Sequence, residues 1–91
     1  MTIYTLQYTD RADRDLEGFE RADAQRLIRA LERIKENPRE HVDKLKTSSA
    51  DSALYSYHVG RRFRVLVQLL DDRLVVLVLE VHQRKTSYRD L

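Results

Sequence analysis

The last ten residues of the chain gather the side chains best suited to chemistry. They read His82-Gln83-Arg84-Lys85-Thr86-Ser87-Tyr88-Arg89-Asp90-Leu91. They follow the most apolar stretch, Leu74 to Val81, with no glycine or proline between. A short apolar run of this kind reads as a buried strand. An imidazole, three cations and a phenol therefore sit where a central strand leaves the core. Cationic donors beside a phenol and an imidazole suit binding of a phosphodiester and attack on it. The rest of the chain must position them.

Alternation along the preceding strands supplies further candidates. On a segment from Ala53 to Val59, Leu54, Ser56 and His58 share one face, and Tyr55, Tyr57 and Val59 the other. On the next segment Phe63, Val65, Val67 and Leu69 form an apolar face, leaving Arg62, Arg64, Leu66, Gln68 and Leu70 opposite. Antiparallel pairing then brings Ser56, His58 and Arg64 onto one surface, which Arg84 and Tyr88 can close. The competing reading for Arg64 is an ion pair with Glu80 or an aspartate. For His58 it is a plain surface histidine, for Lys44 and Lys46 solvated loop charges, and for Tyr88 a C-terminal anchor.

Five further features set the elements. Alternation over residues 2–8 predicts an opening strand. Thr9, followed by Asp10 and Asp13, predicts a helix capped at Thr9 and running to about Phe19. Ala24, Leu27, Ile28, Leu31 and Ile34 recur at helical spacing and predict a second helix, stopped before Pro38. Residues 39–52 read as a surface loop anchored by Leu45. Strands over 53–59, 62–70 and 74–81 follow, with turns at Gly60 and at Asp71-Asp72. The expected fold is α+β, in the order β-α-α-β-β-β. A two-helix hairpin packs on a small antiparallel-rich sheet, and the last strand is covered on both faces.

Ninety-one residues make one domain spanning 1–91. The chain has no cysteine, which excludes disulfides, thiolate zinc sites and a cysteine nucleophile. With no leader and no long apolar run visible, a cytoplasmic, membrane-free protein is expected. The three histidines show no metal-ligand spacing and the two glycines form no phosphate loop, so neither metal nor cofactor is expected. Net charge is +2. Residues 1–47 balance ten basic against ten acidic residues, while residues 48–91 hold seven against five. Arg61, Arg62, Arg64, Arg84, Lys85 and Arg89 form two clusters in that second half, which allows nucleic-acid contact.

The element order and four local segments resemble the RelE/ParE superfamily of toxins from toxin–antitoxin pairs. The segments are Asp43-Lys44-Leu45-Lys46, Leu54 to Gly60, Phe63-Arg64-Val65-Leu66-Val67, and Val81-His82-Gln83-Arg84 through Tyr88-Arg89. The RelE branch cleaves mRNA in the ribosomal decoding site, without a metal. The resemblance implies attack of the substrate 2′-OH on the adjacent phosphate, leaving a 2′,3′-cyclic phosphate and a 5′-OH. It implies that Arg64 holds the phosphate, that Arg84 stabilises charge or protonates the leaving oxygen, and that Tyr88 orients the 2′-OH or stacks a base. RelE-like members often carry two basic residues where this chain has Ser56 and His58, which makes His58 the candidate general base. Thr47 stands where many members have glycine. Lys44, Lys46, Ser56, Arg61, Arg62, His82, Lys85 and Arg89 are the expected RNA contacts. His82 is a further acid–base candidate. The implied partners are a RelB-like antitoxin in a hetero-oligomer, the ribosome and mRNA. A ParE-like toxin acting on DNA gyrase and a non-cleaving, antitoxin-binding relic are the alternatives.

Overall fold

The computed structural model describes residues 3–45 and 53–83. Its elements are β1 (Thr5–Tyr8), α1 (Asp10–Glu17), α2 (Arg21–Arg33), a 3-10 turn (Pro38–Glu40), β2 (Asp43–Lys44), β3 (Leu54–Val59), β4 (Phe63–Leu70) and β5 (Val75–Gln83). The five strands form one mixed sheet in the order β1-β5-β4-β3-β2. β1 lies parallel to β5, and the other neighbours are antiparallel. The two helices and the three-strand meander are as the sequence predicts. The segment read as loop instead contains the 3-10 turn and β2, whose Asp43 and Lys44 pair with Ser56 and Tyr55.

Both helices lie on one side of the sheet. α2 buries Leu27, Ala30 and Leu31, and Ile34 follows at its end. Phe63, Val65, Val67 and Leu69 of β4 face them, with Val76, Val78 and Val81 of β5. Burying such side chains supplies the main favourable term, roughly 1.5–3 kcal/mol each. Phe19 stands edge-on to Phe63 at 5.3 Å. It lies beyond α1, which ends at Glu17 where the Gly18 N–H turns back to Arg14 and Asp15. The sequence predicts cover on both faces of the last strand. Among the described residues the helices cover one, and Leu77 on the other is half-buried.

The last strand starts at Val75 because Leu74 has a left-handed backbone, φ 53°. It also carries a bulge. Leu66 pairs with Glu80, but Val67 pairs with Val78, so Leu79 is the extra residue. Side chains alternate along a strand, so one extra residue reverses the faces beyond it. Val78 and Val81 both reach the core. Glu80 and His82 turn to the open face instead of being driven inward.

α1 holds this bulge in place. β1 ends at Tyr8, so among the described residues no strand lies beside the edge of β5 beyond Val78. The Thr9 hydroxyl accepts from Ala12 N as helix cap and donates to the Leu79 carbonyl at 2.7 Å. Thr9 N–H donates to Val78 O at 3.0 Å. Val81 N–H donates to Asp15 Oδ2 at 3.0 Å. The polar side of α1 thus takes up edge groups that a sixth strand would otherwise satisfy.

Candidate functional site

Register places three reactive side chains in one row across three strands. His58 of β3 pairs with Arg64 of β4, and Arg64 pairs with His82 of β5. Directly paired residues project to the same face, here the one turned away from the helices. Neighbouring strands lie about 4.8 Å apart, so the backbones of the two histidines stand roughly 10 Å apart with that of Arg64 between them. All three side chains are exposed. Among the described residues Arg64 has no carboxylate partner. The expected alternative, an Arg64–Glu80 pair, does not form. Glu80 Oε1 instead receives Arg11 Nη2 and His82 Nε2, each at 3.2 Å.

That carboxylate is the site residue the sequence reading left in another role. Glu80 and His82 are two apart on a strand and must share a face, which was legible. The third member, Arg11, was not. It reaches from α1, where it also pairs with Asp15 at 3.5 Å. A chain of charges therefore runs from Asp15 through Arg11 and Glu80 to His82. With Nε2 directed at Glu80, a neutral His82 keeps its proton there and presents Nδ1 as acceptor.

The other expected contacts fall in different places. Ser56 is on the same face, between Asp43 and Leu66, but only 4 % exposed, so it lies beneath the surface. Arg61 is exposed in the β3–β4 turn. Arg62 is drawn to the helix side, with Asp23 Oδ2 at 3.6 Å and the Phe63 ring centroid at 5.3 Å. Lys44 pairs with Tyr55, three residues along β3 from His58 and on the opposite face. It lines a cleft with Arg39 and Asp71, remote from Arg64. Lys46, Arg84, Lys85, Tyr88 and Arg89 lie outside the described residues. No cluster of His, Cys, Asp or Glu among the described residues has the makings of a metal site.

At the other end of the sheet a second polar cluster ties the 3-10 turn to the β4–β5 turn. Arg39 grips Asp71 with two hydrogen bonds, at 2.9 and 2.6 Å. The buried Tyr4 donates its hydroxyl to the same carboxylate at 2.7 Å. Hydrogen bonds from Arg39, then Tyr4, hold the Asp71 carboxyl below the usual carboxylate range. The hydrogen bond to Asp71, then burial, pushes the Tyr4 phenol up. Arg39 also stacks 5.8 Å from the Tyr55 ring centroid.

Solved toxin structures share this architecture. The toxin–antitoxin complex RelBE2 of Mycobacterium tuberculosis matches with a TM-score of 0.79 and 23 % identity, covering 91 % of this chain and 100 % of that one. The isolated Escherichia coli RelE toxin gives 0.75 and 24 %, over 96 % and 93 %. The archaeal RelE–RelB complex of Pyrococcus horikoshii gives 0.73 and 21 %, over 94 % and 99 %. No curated protein sequence matches. At these identities the structures define the fold, two helices on a five-stranded mixed sheet of the RelE kind. A family model described as the ParE toxin of the type II toxin–antitoxin system parDE matches residues 6–88. The chain belongs to that family, within the RelE/ParE superfamily, and is a toxin of a type II toxin–antitoxin system.

Proposed function

We propose that this toxin is a metal-independent endoribonuclease that cuts mRNA on the ribosome and so stops translation. The observation that carries the reading is Arg64, without a carboxylate partner among the described residues and set between two histidines on the face of the sheet turned away from the helices. In the proposed reaction the RNA 2′-oxygen attacks the neighbouring phosphorus, and the bond from phosphorus to the 5′-oxygen breaks. His58 takes the 2′-OH proton as general base. Arg64 neutralises the charge that grows on the non-bridging oxygens. A proton passes to the departing 5′-oxygen from Arg84, or from Nδ1–H of His82 in its imidazolium form, whose Nε2–H stays on Glu80. Tyr88 orients the 2′-OH or stacks a base. RNA supplies the nucleophile, so the protein needs none of its own.

The solved relatives include RelE toxins bound to RelB antitoxins. A RelB-like antitoxin in a hetero-oligomer is the proposed partner here, acting in the cytoplasm. Arg64→Ala is expected to abolish growth inhibition while the folded spectrum and melting temperature are kept. Undiminished toxicity of that variant would reject the site.

The family model's name favours a second reading, a ParE-like toxin that binds DNA gyrase. Trapped gyrase–DNA breaks with intact mRNA after induction would establish it. Tight antitoxin binding with neither toxicity nor cleavage would instead mark a relic.

A further inference from the structure

On the helix side, Arg26, Arg29 and Arg33 recur at three- and four-residue spacing and form one stripe along α2. The stripe walls an open groove of about 540 Å³, whose other side is Tyr57, His58 and Gly60 at the margin of β3. The Tyr57 hydroxyl donates to the Ala30 carbonyl at 3.2 Å and fixes the floor. At the far end, a Cβ on Gly60 would stand 3.5 Å from Arg26 Nη2. Among the described residues β2 pairs with β3 at Tyr55 and Ser56, and none pairs with the margin from Tyr57 onward. All three arginines are exposed, and among the described residues none has a carboxylate partner. Arg11, Arg39, Arg62 and Arg73 all have one. Three like charges repel along the stripe, and an anion in the groove relieves that repulsion.

We propose that this groove binds the phosphodiester backbone of single-stranded RNA, as an extension of the open-face site. His58 belongs to both: it lines the groove and flanks Arg64. RNA passing over the β3 margin at His58 would run down α2, where Arg26 to Arg33 span about 10 Å at 1.5 Å per residue. Guanidinium forks match phosphate oxygens. The groove's apolar lining is confined to Ala22, Ala30 and Val59 beside the Tyr57 ring. That is too shallow for the buried apolar anchors on which a protein partner depends. The inference rests on the ribonuclease reading only for the choice of RNA as the anion.

The test is fluorescence anisotropy with a short 2′-O-methyl oligoribonucleotide, which lacks the nucleophile and cannot be cut. Its outcome is therefore independent of catalysis. The triple variant Arg26→Ala, Arg29→Ala, Arg33→Ala is expected to lose about tenfold or more in affinity at low salt. Its log–log salt slope should fall by about 2, since each phosphate contact contributes roughly 0.7 on a single strand. The corresponding triple lysine variant should keep the slope, and Arg73→Ala should bind as the parent does. Circular dichroism checks that each variant is folded. Unchanged affinity and slope in the alanine variant would overturn the proposal. So would a glutamate-rich peptide that displaces the RNA and depends on the same three arginines more strongly than the RNA does.

Discussion

The two ends of the sheet use the same kinds of side chain to opposite effect. At the β4–β5 turn, Arg39, Asp71 and Tyr4 satisfy one another. The guanidinium has its carboxylate, and the carboxylate has a phenol as well. At the other end, Arg64 stands between two imidazoles with no carboxylate among the described residues. Glu80, two residue pairs along, is taken up by Arg11 and His82. The lesson lies in the partners. A closed set of donors and acceptors is finished business and holds two loops together. A guanidinium without its acceptor is available to a phosphate.

Breaking each end should therefore give different phenotypes. Arg64→Ala carries the largest expected effect, a loss of about a hundred- to a thousandfold in single-turnover cleavage. Thermal melting of that variant should match the parent. Glu80→Gln should cost less, about tenfold in cleavage, because it loosens His82 without removing it. Nitrogen-15 spectra of the imidazole should show the His82 proton redistributed between Nδ1 and Nε2. An unmoved tautomer would mean that Glu80 does not position His82.

Thr9→Val tests the support rather than the site. It removes a cap and the bond to the bulge carbonyl, and should destabilise by about 1–2 kcal/mol in denaturant unfolding. Asp71→Asn should cost about 1 kcal/mol near neutrality, the pair being half-exposed and screened, and should leave toxicity intact. The sign with pH follows from the depressed carboxyl. Its stabilisation is whole above the ordinary carboxylate pKa, near 4, and is lost as pH falls through the lower folded value. The Asn variant should lack that acid limb when unfolding is followed across pH.

The sequence made much of this legible where one local rule decides the outcome. The stripe of Leu27, Leu31 and Ile34 gives α2, Thr9 gives the cap, and strict alternation on β4 puts Arg64 opposite Val65. Pairing of β3 with β4 then brings His58 beside it. What stayed hidden depends on distant partners. The bulge at Leu79 is set by Thr9 and Asp15, some seventy and sixty-six positions away. Arg11 reaches Glu80 only because β1 stops short of the end of β5. The parallel β1–β5 pair closes the sheet from its two chain ends, and no local signal announces it. The left-handed backbone at Leu74 is unusual for a branched residue and could not be read from its type. The roles of Arg84 and Tyr88 came from resemblance alone.

The most direct measurement is the mapping of RNA 5′ ends after brief induction of the toxin in cells, parent against Arg64→Ala. Codon-phased cuts within translated transcripts, bearing 5′-OH ends, are expected in the parent and none in the variant. Intact transcripts in the parent, accompanied by DNA breaks, would contradict the ribonuclease reading.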